Sequence, residues 1–138
     1  MSHITFDEVA LSALDAMETH ARSLSRTGVA VIAFAPGEEF STWQSLARVV
    51  GRYSDPPNEK SPGANLLAIA YAKATEMAVT HRPSGKAGRP VHLGEVGWTG
   101  GDVKGTADGY WIAAFSGAPA EIDVLISQTG LKAAINES

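Results

Sequence analysis

The chain of 138 residues, 44% hydrophobic and 19% charged, has the composition of an ordinary globular protein that can bury its own core. It contains no cysteine, which excludes disulfides, thiol nucleophiles and cysteine-ligated zinc or iron–sulfur sites. The net charge is −4, with 11 basic and 15 acidic side chains, and the basic residues are scattered, so we expect no nucleic-acid partner.

Neither the start nor the body of the sequence carries a membrane signal. Residues 1–8 lack the basic start and apolar segment of a signal peptide, and no segment reaches the roughly 20 apolar residues that cross a bilayer. We therefore expect a cytoplasmic protein with no membrane partner. Because no repeat or boundary interrupts the sequence, residues 1–138 are expected to form a single domain.

The predicted elements begin with an amphipathic helix. Thr5 and Glu8 have the spacing of a capping box, and apolar residues then recur at helical spacing, which predicts a helix over residues 6–25. After it, the β-branched and apolar run 28–34 predicts a buried strand.

Residues 40–51 are ambiguous, because their apolar positions fit a helix as well as one face of a strand. We favour a strand, since the preceding Pro36-Gly37 turn is typical of a hairpin connection. Residues 54–62 are polar and rich in proline, and they are expected to form a loop.

The central segment predicts an alanine-rich helix over residues 62–80. Ser61 and Pro62 match an N-cap followed by proline at the first helical position, and Pro83 stops the helix. Small side chains let a neighbouring backbone or a flat ligand come close to such a helix. They are Ala64, Ala68, Ala70, Ala72, Ala74 and Ala78.

The region after this helix is rich in glycine. Eight glycines lie between Ser84 and Gly109, so residues 85–109 are expected to form either a surface loop or turns whose backbone lines a site. Residues 109–116 predict another buried strand, and residues 119–135 predict a last helix with proline at its start.

Three segments follow one another in a recognisable order. Residues 61–74 (Ser-Pro-Gly-Ala-Asn-Leu-Leu-Ala-Ile-Ala-Tyr-Ala-Lys-Ala) form an alanine-rich helix with a Lys-Ala pair, followed by Arg-Pro-Ser-Gly at 82–85. Residues 114–123 (Ala-Phe-Ser-Gly-Ala-Pro-Ala-Glu-Ile-Asp) join a strand, a Ser-Gly turn and a helix, and Gly-Leu at 130–131 closes the pattern. In this order and spacing they resemble the GlcG/HbpS-like family, which includes haem-binding and corrinoid-associated proteins.

The resemblance spans nearly the whole chain, although residues 94–101 and 40–43 depart from the family pattern. It implies an α/β fold of the α+β type, with a mainly antiparallel sheet of about five strands flanked by helices. It also implies a homo-oligomer and makes haem a candidate cofactor. Periodicity alone predicts only the α/β class.

Lys73 is the first candidate for a ligand-binding residue, because lysine is seldom buried in an apolar helix without a partner. It would present its charge to a carboxylate on the ligand. The alternative is a solvated lysine paired with Glu76 at the i+3 position.

His92 and Glu95 are candidates for proton transfer, and His92 is also a candidate haem ligand. A metal site needs three protein ligands, and His81, His92, Glu95 and Asp102 supply them only if the glycine-rich region folds back onto the central helix. We therefore expect no metal site. His81 remains a candidate for cofactor binding.

Aromatic and basic side chains complete the candidate site. Trp98, flanked by glycines, is the tryptophan expected to face a flat ligand, whereas Trp111 lies in a predicted buried strand and is expected in the core. Trp43 fits either role. Arg48 is a candidate to hold a carboxylate, or else a surface arginine.

The function favoured by these features is a small-molecule-binding module, acting as an oligomeric carrier or sensor for haem, another tetrapyrrole or a small aromatic or carboxylated ligand. The alternative is a cofactor-independent enzyme that uses His92 or Glu95 for proton transfer and Lys73 or Arg48 to hold an anion. A structural assembly subunit is a third reading. The ligand site is expected where the helix around Lys73 faces the segment carrying Trp98.

Overall fold

The computed structural model describes residues 4–138, and its first element is the helix α1 (Phe6–Ser23). Thr5 caps this helix, because its hydroxyl accepts a hydrogen bond from the backbone N–H of Glu8 at 3.2 Å. The helix ends slightly before the predicted residue 25. Its apolar stripe is buried and comprises Val9, Ala10, Ala13, Leu14, Met17 and Ala21.

The other elements are strands and two further helices. The strands are β1 (Gly28–Pro36), β2 (Gln44–Val50), β3 (Ser54–Asp55), β4 (Ala64–Asn65), β5 (Gly101–Thr106) and β6 (Gly109–Ser116). The helices are α2 (Leu66–Thr80) and α3 (Ala120–Glu137). Four antiparallel strands form the main sheet in the order β2-β1-β6-β5, and β3 and β4 pair separately.

The sheet is covered on both faces because successive side chains of a strand point to opposite sides. On β1, Ala30 and Ile32 pack with α1 and α3, whereas Val29, Val31 and Ala33 pack with α2. The continuous apolar pattern of β1 therefore reflects two cores, one on each side. The predicted α+β fold with a mainly antiparallel sheet is confirmed, with four strands in the main sheet.

The predicted start of the central helix is wrong. The N-cap is Asn65, whose side chain accepts from the N–H of Ala68 at 3.0 Å, so α2 begins at residue 66. Ser61 instead accepts from the N–H of Gly63 within a turn, at 3.1 Å. Gly63 adopts a φ of +82°, which a helix does not allow, and β4 then pairs with β3.

The glycine-rich region contains a strand that its sequence pattern did not predict. Residues 81–100 are irregular, but β5 pairs with β6 along its whole length. Gly101 is required there, because a Cβ atom would lie 2.3 Å from the terminal methyl of Met77 and 2.9 Å from the carbonyl of Ala113. Close packing against α2 therefore explains a glycine in the strand.

The loop predicted over residues 54–62 is wrong at its start, where Ser54–Asp55 form β3, and the other predicted elements agree with the structure. Residues 44–50 form a strand, as favoured, and β6 has the predicted bounds. The last helix begins at residue 120, after Pro119 as N-cap. Within residues 4–138 no helix combines the length and apolar character that crossing a bilayer requires.

Candidate functional site

An open cleft of about 560 Å³ lies beside the last residue of β6. One wall is the first half of α2, and the opposite wall is the turn 116–118 with the start of α3. Residues 97–99 of the glycine-rich region close one side, and Arg52 and Asp55 complete the lining. The cleft therefore lies where both helix layers meet the end of the sheet.

Lys73 and Asp123 form a buried ion pair that lines the cleft. Each residue is 3% exposed, and the Lys73 Nζ lies 3.1 Å from Asp123 Oδ2. Lys73 also donates to the carbonyl of Phe115 at 2.8 Å, and Asp123 Oδ1 accepts from the N–H of Ala118 at 3.0 Å. A Cβ on Gly100 would lie 2.3 Å from Nζ, so glycine gives the lysine its space.

Burial changes the acidity of the Asp123 carboxyl. Burial raises the pKa of the Asp123 carboxyl to about 6, although Lys73, the N–H of Ala118 and the more distant Arg26 all lower it. An ammonium group has three N–H donors, and within residues 4–138 two of those on Lys73 have protein acceptors. One donor of Lys73 thus remains for a ligand.

Arg52 anchors the rim of the cleft. Its guanidinium donates to both carboxylate oxygens of Asp55 at 2.6 and 3.1 Å, and to the carbonyl and hydroxyl of Thr27 at 3.0 and 2.9 Å. The pairing raises the pKa of Arg52 and lowers that of Asp55. Arg52 therefore joins segments of the rim and has few donors left for a ligand.

The start of α3 adds unpaired backbone donors. Its N-cap, Pro119, makes no side-chain capping bond, and the Pro119 carbonyl accepts only from the N–H groups of residues 122 and 123. The N–H groups of Ala120 and Glu121 have no partner within the helix, as is usual for a first turn. With the helix dipole, the N–H of the cleft residue Ala120 favours an anion at this end, whereas the carboxylates of Glu121 and Asp123 in the same turn oppose one.

The predicted juxtaposition of the central helix and the glycine-rich region is present at two residues. Lys73 and Trp98 line the same cleft, and Trp98 is 53% exposed. The alternative of a solvated Lys73 paired with Glu76 is wrong, because Lys73 is buried and its partner is Asp123. The binding roles of Lys73 and Trp98 stay predictions.

His92 and Glu95 lie outside the cleft lining. The Glu95 carboxylate is held by two bonds from Arg89, both 2.9 Å, and by the backbone N–H of His92 at 2.8 Å. These bonds, from Arg89 above all, lower the pKa of Glu95 to about 2. Such a carboxylate is a weak base, and His92 is exposed, so the geometry does not favour the proton-transfer role predicted for them.

His81 and Arg48 also occupy other parts of the molecule. His81 caps the end of α2 with a left-handed φ of 57°, and its ring stacks on Tyr110 with centroids 3.7 Å apart. Arg48 on β2 pairs with Asp15 and Glu18 of α1. Neither residue lines the cleft. A ligand-binding role for His81 or Arg48 stays a prediction, and it would require a site elsewhere on the molecule.

The other two tryptophans pack against aromatic side chains of the protein. Trp111 is 5% exposed and stacks on Phe6 with ring centroids 5.8 Å apart, which confirms its expected place in the core. Trp43 packs edge-on against Tyr71 of α2, with centroids 6.4 Å apart. Trp98 is therefore the tryptophan that reaches the cleft.

The described residues do not form a site for a metal ion, and the cleft does not fit haem. Between residues 4 and 138 no three histidine, aspartate or glutamate side chains form a group that could hold a metal ion. The cleft lining also contains no histidine, methionine or tyrosine, which are the side chains that ligate haem iron when cysteine is absent. The cleft does not fit haem, and a haem-ligand role for His92 would need the exposed surface.

A second, smaller cavity of about 200 Å³ lies under residues 85–97. Buried Glu76 forms part of its wall and accepts from the N–H of Gly85 at 2.8 Å through one carboxylate oxygen. Within the described residues its other oxygen, Oε1, has no hydrogen-bond partner. Gly97 belongs to the linings of both cavities, so they adjoin each other.

Asp123 is the cleft residue that the sequence interpretation missed. In the sequence it is the last residue of the family-like segment 114–123 and has no other distinguishing feature. A signal was present, because a lysine in an apolar helix needs a compensating charge. Only the fold shows that the first turn of α3, fifty residues further along the chain, supplies it.

Known structures share this fold. The crystal structure of HbpS matches with a TM-score of 0.58 and 17% identity over 96% of this chain and 90% of that chain. The Klebsiella pneumoniae protein ORFY, described as DUF336, matches with a TM-score of 0.58 and 14% identity over 98% of this chain and 94% of that chain. At these identities the likeness establishes the fold alone, and it confirms the fold that the resemblance implied. Comparison with protein-family models and with curated protein sequences gives no match.

Proposed function

We propose that this protein binds a small aromatic carboxylate in the cleft between α2 and α3, as a carrier or sensor module. The observation that carries the proposal is the buried Lys73 ammonium, which lines the cleft with one donor for which residues 4–138 supply no acceptor. A buried lysine is costly unless its charge and its donors are satisfied, so an anionic ligand completes its environment.

The carboxylate of the ligand is expected between Lys73 and the start of α3. The unpaired N–H groups of Ala120 and Glu121 lie at the positive end of an 18-residue helix, where an anion is stabilised. Asp123, in the same turn, takes the charge of Lys73 in the absence of ligand and becomes easier to protonate beside an anion.

The apolar part of the ligand is expected on the opposite side of the cleft. The ring of Trp98 is half-exposed there, and Leu66 and Ile69 of α2 contribute aliphatic surface. Aromatic pairs gain about 0.5–1.5 kcal/mol beyond the burial of their area, which favours a flat ring over an aliphatic chain of equal size.

Titration with phenylacetate and with its neutral counterpart phenylacetamide tests the proposal. Binding is followed by calorimetry and by tryptophan fluorescence. We expect phenylacetate to bind and phenylacetamide to bind at least tenfold more weakly, because only the acid satisfies Lys73. Equal affinity of the two compounds would contradict the proposal.

The matched variants separate the binding role of Lys73 from its role in folding. The double variant Lys73→Met/Asp123→Leu replaces the pair by apolar side chains and is expected to fold without binding phenylacetate. Lys132→Met removes an exposed lysine of α3 and is the control for the loss of a lysine outside the cleft. Retained affinity in the folded double variant would show that Lys73 does not hold the ligand.

A further inference from the structure

In the Lys73–Asp123 pair, an ammonium and a carboxylate face one cleft from opposite walls. Lys73 comes from α2 and Asp123 from α3. Replacing a buried ion pair by well-packed apolar residues is often neutral or stabilising, so such a pair is weak evidence of a structural role. A charged pair that also lines a cleft is instead a candidate for chemistry.

Asp123 has the free acceptor capacity that a base needs. Its Oδ1 accepts one bond from Ala118 and its Oδ2 one bond from Lys73, whereas a carboxylate offers about four acceptor sites. The charged groups around it are Lys73 from α2, Arg26 from the turn before β1, and the rim pair Arg52 and Asp55.

We infer that Asp123 and Lys73 form a proton-transfer pair that interconverts the keto and enol forms of a 2-keto acid bound in the cleft. The inference rests on the proposed function, because the carboxylate of the keto acid would occupy the site of the proposed ligand. In a 2-keto acid the keto oxygen adjoins the carboxylate. The start of α3 can therefore hold the carboxylate while Lys73 donates to the keto oxygen.

The step is balanced without an oxidant or a cofactor. Asp123 removes a proton from the carbon next to the carbonyl, and the electrons of that C–H bond form the carbon–carbon double bond. The carbonyl π electrons move onto oxygen, where the Lys73 ammonium stabilises the negative charge. Transfer of a Lys73 N–H proton to that oxygen gives the enol and leaves a neutral amine. In the reverse direction Asp123 returns its proton to carbon while Lys73 takes back the proton from oxygen, which restores the ketone.

The acid–base properties of Asp123 suit this role. Burial raises its pKa to about 6, so at neutral pH it is mostly ionised yet more basic than an ordinary aspartate. At a phenylpyruvate concentration well below saturation the rate reports the free protein, so it should rise as the pH increases through about 6, where Asp123 loses its proton. Glu95, with a pKa of about 2, lacks this basicity.

The probe is phenylpyruvate in D2O, with exchange of its benzylic protons followed by NMR and its binding measured separately by calorimetry. We expect the protein to accelerate exchange over buffer. Asp123→Asn keeps the size of the side chain but only one of the two oxygens that accept from Lys73 and Ala118. In the folded variant, exchange should be at least about 100-fold slower, whereas phenylpyruvate should still bind at Lys73. Asp108→Asn, at the exposed β5–β6 turn, is the matched control and should exchange normally.

The outcomes distinguish the two ideas. Phenylpyruvate and phenylacetate that bind without accelerated exchange would overturn proton transfer and leave the binding function in place. Exchange that survives in Asp123→Asn, or that shows no inflection near pH 6, would assign the reaction to another group and overturn the inference. Failure of both acids to bind would overturn both proposals.

Discussion

At the scale of single residues, the buried charge of Lys73 is the most informative feature of the chain. A charge in a dry environment is tolerated only with a partner, and Asp123 is the partner that the fold supplies. The two side chains contribute to one environment, so the effect of changing one depends on the other.

Lys73→Met alone should therefore be more damaging than the double variant Lys73→Met/Asp123→Leu. The single change leaves a buried carboxylate without its cation and is expected to cost about 3–5 kcal/mol, whereas the double change should cost much less. Urea denaturation of both variants at pH 7 measures the difference. Equal losses would mean that Asp123 is hydrated and needs no partner.

At the scale of elements, helix ends and strand partners decide where the sequence prediction succeeds. The start of α1 was predictable because Thr5 and Glu8 form a local cap whose contact spans a single turn. The start of α2 was not, since Ser61 and Pro62 give an equally good local signal that the β3–β4 pairing overrides. Strand β5 lacked an apolar pattern, and its hydrogen bonds to β6 form it.

The position of the α2 cap leads to a direct test. Asn65→Ala should lower the free energy of unfolding by about 1 kcal/mol, because it removes the acceptor for the Ala68 N–H. Ser61→Ala is the control and should have a smaller effect, as its hydroxyl bonds only within an exposed turn. Thermal or urea denaturation resolves the two. A larger loss at Ser61 would restore the predicted helix start.

The residues of the candidate site, like the helix and strand bounds, were predictable only where the signal is local in the sequence. Lys73 and Trp98 were predictable because each is unusual in its own local context, a lysine among alanines and a tryptophan among glycines. Asp123 was not, because an acid in the first turn of a helix is ordinary and its significance depends on contact with a distant helix. His92 and Glu95 looked functional by spacing, but Arg89 engages the glutamate.

At the scale of the whole molecule, a number of large apolar side chains remain exposed outside the two cores. Several lie on α2, on β2 and in the glycine-rich region. The exposed set there is Val49, Leu67, Val79, Val91, Leu93 and Trp98. Single exposed apolar residues are normal, but this number of them in a small protein favours the burial of some against another copy of the chain.

We therefore expect a homo-oligomer in solution. Light scattering coupled to size exclusion should give a mass that is a multiple of 14.4 kDa at micromolar concentration. Leu93→Asp, at a fully exposed position outside both cores, should shift the mass downward if this segment lies in the interface. A monomer at micromolar concentration would remove the expectation.

The ion pair also has a dynamic consequence, because it joins helices from opposite layers around the end of the sheet. An opening that frees the first turn of α3 breaks the bonds from Asp123 to Lys73 and to the Ala118 N–H together. The two layers are therefore fastened at this rim as one cooperative unit, and amide hydrogen exchange there should report a single opening event. A ligand bound to Lys73 and the first turn of α3 would slow that exchange. The amide exchange rate at this rim would therefore report whether the cleft is occupied.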